Sequence, residues 1–186
     1  MLQEIDSSIW QIKSDLPGSS ICIFGGIHGN EKTGILVIKT LRDFFNENNQ
    51  TLLRGTLTFG LGNQKAIALN TRGTENRDLN RYFTSTCETD PIDNSYEAQR
   101  AALLAPFIRQ ADITIDLHAT TKQSIPFICS VTSPAHERLY RWFGANIVLT
   151  DPDFILAGIP CTTDDYAENF GKIGVTYEAG WMEDVS

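Results

Sequence analysis

Four short segments of the chain carry side chains able to do chemistry. In GGIHGNEKTG, 25–34, His28 and Glu31 lie three residues apart, just past an apolar run and at the start of a helical one. A loop entering a helix can aim side chains at i and i+3 toward one point. Imidazole nitrogen and carboxylate oxygen are both good zinc ligands. In IDLHATT, 115–121, His118 sits just beyond an apolar run, and Asp116 two residues earlier can orient a neighbouring ligand. Each segment alone also fits a plainer reading. The first is then a glycine-rich connection with a helix-start glutamate that favours the dipole; the second is a hydrogen-bonding histidine at a strand end. Together they supply two histidines and one carboxylate, the ligand set of an open catalytic zinc site whose fourth position holds water. The third histidine, His136, lies inside SPAHERLYRWFG and reads as a surface or packing residue.

The third segment is VTYEAG, 175–180, where Glu178 ends a short β-branched run. A carboxylate beside an activated water can serve as general base and then as general acid. An ordinary charged strand end is the plainer alternative. The fourth is NTRGTENRDLNRYF, 70–83, with Arg72, Arg77 and Arg81 and with Asn80 close by. Arginine forks match carboxylates in bidentate geometry and stabilise a developing oxyanion. A solvated charged loop would look similar, but this acidic chain concentrates three arginines here.

These segments need elements to hold them. Residues 20–24 read as a buried strand entering a tight loop, and 31–48 carry apolar residues at helical spacing. A strand over 55–61 and a short helix over 63–69 follow. Residues 70–93 are polar without a clear period, a loop long enough to be functional. A helix is expected over 95–110, with Pro106 bending it or marking a late start. Strands are expected over 113–117, 125–131, 146–149 and 172–178. A helix capped by Ser133 with Pro134 at its first position should run to Gly144. Another should begin at 163–165 and end at Gly171. Strands alternating with helices predict a three-layer α/β/α sandwich around a mixed, mainly parallel sheet, with sites at the carboxyl ends of strands.

The 186 residues suit one domain with a full core. The 15 Lys and Arg against 23 Asp and Glu leave a net charge of −8, which argues against nucleic acid or an anionic membrane as a general partner. No basic stretch followed by an apolar run opens the chain, and no run approaches membrane-spanning length. Cys22, Cys87, Cys129 and Cys161 form no C-x-x-C pair and read as reduced residues of a cytoplasmic protein. There is no G-x-G-x-x-G and no phosphate loop. The sequence is silent on whether the chain forms a homo-oligomer.

The four segments, in this order, resemble the succinylglutamate desuccinylase/aspartoacylase family, within the zinc carboxypeptidase-like hydrolases. The likeness rests on GGIHGNEKTG, on GNQKAIALNTR followed by RDLNR, on DLHATT and on YEAG. The resemblance implies one Zn2+ per chain held by His28, Glu31 and His118, with Glu178 activating the water. It implies that Asn80 and Arg81 hold the carboxylate of a small acidic N-acyl amino acid, and that Arg72 polarises the scissile carbonyl. The stretch between Arg72 and Asn80 is one residue longer than the family pattern, so Arg77 competes with Arg72 for that place against the substrate, with Arg72 preferred. Members of the family usually continue into a smaller β-rich region, so residues 1–186 are expected to be the catalytic domain without it. The rival readings are a zinc carboxypeptidase acting on peptides and a non-catalytic metal-binding relative.

Overall fold

The computed structural model describes residues 1–47, 50–151 and 161–184. The chain opens with β1 (Gln3–Asp6) and β2 (Ile9–Lys13), an antiparallel hairpin. Then come β3 (Ser20–Gly25), α1 (Lys32–Glu47), β4 (Thr56–Leu61) and α2 (Gln64–Leu69). A single 3-10 turn (Leu79–Arg81) precedes α3 (Tyr96–Gln110) and β5 (Ile113–Thr120). The rest comprises β6 (Phe127–Cys129), α4 (Pro134–Tyr140), β7 (Val148–Leu149), α5 (Thr163–Glu168) and β8 (Ile173–Trp181).

The eight strands form one sheet in the order β1-β2-β4-β3-β5-β8-β6-β7. Its centre, β4-β3-β5-β8, is parallel. Antiparallel pairings of β2 with β4 and of β6 with β8 flank it. Central parallel strands are covered on both faces, and β3 accordingly reads as a near-continuous apolar run, whereas β5 alternates apolar residues with the buried polar Thr114, Asp116 and His118. Cys22 and Phe24 of β3 join a core with Leu104, Ala105 and Ile108 of α3 and Tyr166 of α5. Ile23 of the same strand joins Ile38, Leu41 and Phe45 of α1, with Phe59 of β4 and Trp10 of β2. Helices therefore cover both faces, and the α/β/α class holds. Beside β6 and β8, Tyr140 of α4 packs on Ile128 and Val175. Among the described residues, no helix is long and apolar enough to cross a membrane.

One close approach matters for the site. A Cβ on Gly25 would lie 2.3 Å from the Gly34 carbonyl oxygen, and one on Gly34 would lie 2.5 Å from the Leu117 carbonyl oxygen. Without side chains at both positions, the first turn of α1 settles onto the carboxyl ends of β3 and β5. The loop between β3 and α1 and the end of β5 thereby meet.

Several expectations need adjusting. The hairpin β1–β2 was not anticipated: β1 is exposed at every residue, so it has no buried face to leave a period-2 pattern. α3 starts at Tyr96 under a Ser95 cap and continues through Pro106, so Pro106 does not delay its start. The missing N–H deprives Ala102 of its helical partner, normally a cost of about 3 kcal/mol. Burial of Ala98, Ala101, Leu104, Ala105 and Ile108 along one face offsets that cost. β6, α4 and β7 are shorter than expected, and α5 ends at Glu168 rather than at Gly171. β5 and β8 run further, to Thr120 and Trp181, because each lends the other a ladder past the apolar run. The expected last residue of α1, Asn48, lies outside the described residues.

Candidate metal centre and active site

His28 lies in the loop after β3, Glu31 immediately before α1, and His118 near the end of β5. All three are buried. His28 Nδ1 is 2.8 Å from Glu31 Oε1, His118 Nδ1 is 3.0 Å from Glu31 Oε2, and the two Nδ1 atoms are 3.1 Å apart. Their ligand atoms form the one group able to hold a metal ion among the described residues. The Ala119 N–H also donates to Glu31 Oε2, pinning the carboxylate.

The outer ring nitrogens explain why the inner ones converge. His28 Nε2 meets Asp78 Oδ1 at 2.9 Å, and His118 Nε2 lies 2.8 Å from Asp116 Oδ2. A carboxylate against Nε2 favours the tautomer that carries its proton there. Both Nδ1 lone pairs then point at each other and at two carboxylate oxygens. Such a cluster of acceptors requires positive charge at its centre, from protons or from a cation. The titration directions agree. Burial pushes the Glu31 carboxyl upward, but hydrogen bonds and charge from His118 and His28 outweigh it and bring it to about 2. Burial disfavours charge on His118, yet Asp116 and Glu31 hold it protonated well above the usual range. A divalent cation would replace those protons. Two imidazoles and one carboxylate are the protein donor set of a catalytic zinc site, so the residues fit that ion.

Glu178 is the direct partner of His118 across the β5–β8 ladder. Its Oε2 is buried without a hydrogen-bond partner. Burial, and the charges of Glu31 and Asp116, raise its pKa against the pull of His118 and His28. Desolvation of a carboxyl beside the two histidines favours its protonated form.

The arginines part company. Arg72 donates through Nε and Nη2 to Asp78 Oδ2, at 3.2 and 3.0 Å, and its Nη1 is 3.5 Å from Glu31 Oε1. Arg77 instead pairs with Glu75 at 2.7 Å and lies 3.8 Å from Asp93, away from the histidines. Arg81 is exposed and donates to the Asn80 carbonyl. Asn80 is buried, and its Oδ1 accepts from the Thr163 N–H at the start of α5. His136 is a buried packing residue rather than a surface one.

Two residues of the site had not been singled out. Asp78 touches His28, Arg72 and the Asn80 N–H at once, and these contacts outweigh burial to hold its carboxyl far below the usual range. Its only sequence signal is its place in RDLNR. Glu97 is buried in α3, and its Oε1 accepts from the Thr74 N–H, the Thr74 hydroxyl and Asn63 Nδ2. It ties the arginine loop to the cap of α2, and nothing local in the sequence marks it.

The succinylglutamate desuccinylase/aspartoacylase catalytic-domain family model matches residues 17–186. A probable aspartoacylase of Nostoc sp. is 39% identical over 166 residues, spanning 86% of this chain and 54% of that protein. An N-acyl-aromatic-L-amino acid amidohydrolase (carboxylate-forming) of Rattus norvegicus is 30% identical, spanning 89% and 56%. The chain thus spans about half the length of the curated relatives it matches. Among solved structures, the succinylglutamate desuccinylase of Chromobacterium violaceum superposes with a TM-score of 0.75 at 24% identity, over 97% of this chain and 59% of that one. Murine aminoacylase 3 superposes at 0.63 with 27% identity, over 90% and 57%. Motifs, sheet order and family match together place this chain in the succinylglutamate desuccinylase/aspartoacylase family.

Proposed function

We propose that residues 1–186 are a zinc-dependent catalytic domain that hydrolyses the amide bond of a small acidic N-acyl amino acid, such as an acetylaspartate or a succinylglutamate. The observation that carries this reading is the convergence of His28, Glu31 and His118 with Glu178 beside them in register. One Zn2+ held by those three side chains would polarise the substrate carbonyl and lower the pKa of a water. Glu178 takes a proton from the attacking water and later delivers it to the leaving amine. Arg72, beside Glu31, donates to the oxygen that gains negative charge, a contribution of about 3 kcal/mol for one such donor. Asp78 aims Arg72 and His28 together. Asn80 and Arg81 bind the substrate carboxylate and set the amide over the centre. Arg77, held by Glu75 and Asp93, has no direct part. The four free thiols, three of them buried, fit a cytoplasmic setting.

The test is metal analysis of the purified protein together with a substrate panel: N-acetylaspartate, N-succinylglutamate, an N-acetylated aromatic amino acid and short peptides. One equivalent of zinc with turnover of an acidic N-acyl amino acid is the expected result. Cleavage confined to peptides would establish the carboxypeptidase alternative. Bound metal without turnover of any substrate would leave a non-catalytic relative.

A further inference from the structure

Behind His118 runs a chain of contacts that the proposed chemistry does not use. Asp116 is fully buried, and its Oδ2 lies against His118 Nε2. The same oxygen accepts a 2.6 Å hydrogen bond from the hydroxyl of Thr163, also fully buried. The other carboxylate oxygen, Oδ1, is buried with no hydrogen-bond partner. Among the described residues, the Thr163 hydroxyl is therefore the directed hydrogen bond that orients this carboxylate. Thr163 is itself fixed twice. It is the first residue of α5, where Thr162 and Asp165 form a reciprocal capping box. Its N–H donates to Asn80 Oδ1 at 3.1 Å.

We propose that Thr163 is a positioning residue for the metal centre: its hydroxyl holds Asp116 so that Asp116 holds the His118 ring with Nδ1 turned toward Glu31. The proposal rests on the metal-binding reading above. The physical reason is that an isolated buried carboxylate is costly. Deprived of its donor, Asp116 is free to turn, and His118 loses the carboxylate oxygen that lies 2.8 Å from its Nε2. Outer partners of metal-bound histidines typically govern affinity by 10- to 100-fold. Because Thr163 also caps the Asn80 side chain, one residue joins the floor of the metal centre to the segment proposed to hold the substrate carboxylate.

The experiment measures Zn2+ affinity by competition with a chromophoric chelator, and the visible absorption of the Co2+-loaded protein, for the full chain and its variants. Thr163→Val keeps the shape and removes the hydroxyl. It should weaken Zn2+ binding about 10-fold and shift the Co2+ bands, whereas Thr163→Ser, which keeps the donor, should restore both to within about 3-fold of the parent. The double variant Thr163→Val/Asp116→Asn should bind no more weakly than Asp116→Asn alone, since the hydroxyl acts only through Asp116. Parent-like affinity and spectrum for Thr163→Val would overturn the proposal. If that variant does not fold, Thr163→Ala is read by the same criterion. A residue that only stabilised α5 would lower the melting temperature of the metal-free protein without altering Zn2+ affinity, which also overturns it. If the parent chain binds neither Zn2+ nor Co2+, the metal reading falls and this inference falls with it. Parent binding with no effect of Thr163 removes this inference alone.

Discussion

His136 and the pair His28/His118 invite comparison, because burial does not tell them apart. His28 and His118 are each 3% exposed and His136 is 4%. Each lies within hydrogen-bonding distance of a carboxylate. The difference is in where the second ring nitrogen goes. His136 Nδ1 meets the Ser133 hydroxyl at 2.8 Å, and Nε2 meets Glu168 Oε1 at 2.7 Å. Glu168 Oε1 also accepts from the Gly174 N–H, so this unit ties α4, α5 and β8 together and closes on itself. Around His28 and His118 the outer nitrogens lie 2.9 Å from Asp78 and 2.8 Å from Asp116, and the inner ones face each other across Glu31. Neither burial nor a carboxylate neighbour makes a ligand. What sets His28 and His118 apart is that their inner nitrogens and the Glu31 carboxylate converge on one point.

The strongest way to break this comparison is to truncate one histidine of each kind. His118→Ala should weaken Zn2+ binding by more than about 100-fold and abolish turnover, since two protein ligands seldom hold a catalytic ion. His136→Ala should bind Zn2+ like the parent and instead lose about 1–3 kcal/mol of stability, by removing the ring that bridges Ser133 and Glu168. Equilibrium dialysis and denaturant unfolding on the two variants read both effects. Equal loss of zinc from both would remove the distinction.

Next in size is Glu178, which sits in the same neighbourhood without joining the ligand triangle. Glu178→Gln should retain zinc and lose turnover by about 10²- to 10⁴-fold, the usual span for a general base. Its titration sharpens the point. In the metal-free protein burial raises its pKa above the ordinary carboxylate range. A cation nearby favours the ionised form, so loading with Zn2+ should move the pKa down. Carbon-13 NMR titration of labelled glutamate, with and without metal, checks the sign; an upward move would place Glu178 away from the centre.

What the sequence disclosed, and what it withheld, divides along the same line. The parallel centre of the sheet was legible because β3 reads as a continuous apolar run and β5 carries Ile113, Ile115 and Leu117 between helical stretches. The cluster of His28, Glu31 and His118 was legible because these residues lie at or just past the carboxyl ends of strands β3 and β5, where such sheets put their sites. Three things were not. The β1–β2 hairpin has an exposed first strand. Pro106 lies in a helix whose packing overrides a local rule. Asp78, Glu97 and Thr163 reach His28, Thr74 and Asp116 across 50, 23 and 47 residues of chain. No local period can record a partner so distant. The loop that carries Arg72 and Arg77 turns back on itself in a way no local pattern shows: a Cβ on Gly73 would lie 1.6 Å from the Arg77 carbonyl oxygen.

That turn supplies the smallest and most discriminating expected effect. Arg72 and Arg77 are five residues apart, both are partly exposed, and both are paired with acids. Only Arg72 reaches an acid that also touches a candidate ligand, since Asp78 binds both Arg72 and His28. Arg72→Ala should therefore lower kcat by about 100-fold, and Arg72→Lys should recover little, because an ammonium cannot reproduce the fork to Asp78. Arg77→Ala breaks exposed pairs with Glu75 and Asp93, which are worth little in water, and kcat should change by less than about 3-fold. Steady-state kinetics on an acidic N-acyl amino acid measure all three variants. A larger loss at Arg77 than at Arg72 would mean that the loop refolds around bound substrate and brings the more distant guanidinium to the carbonyl.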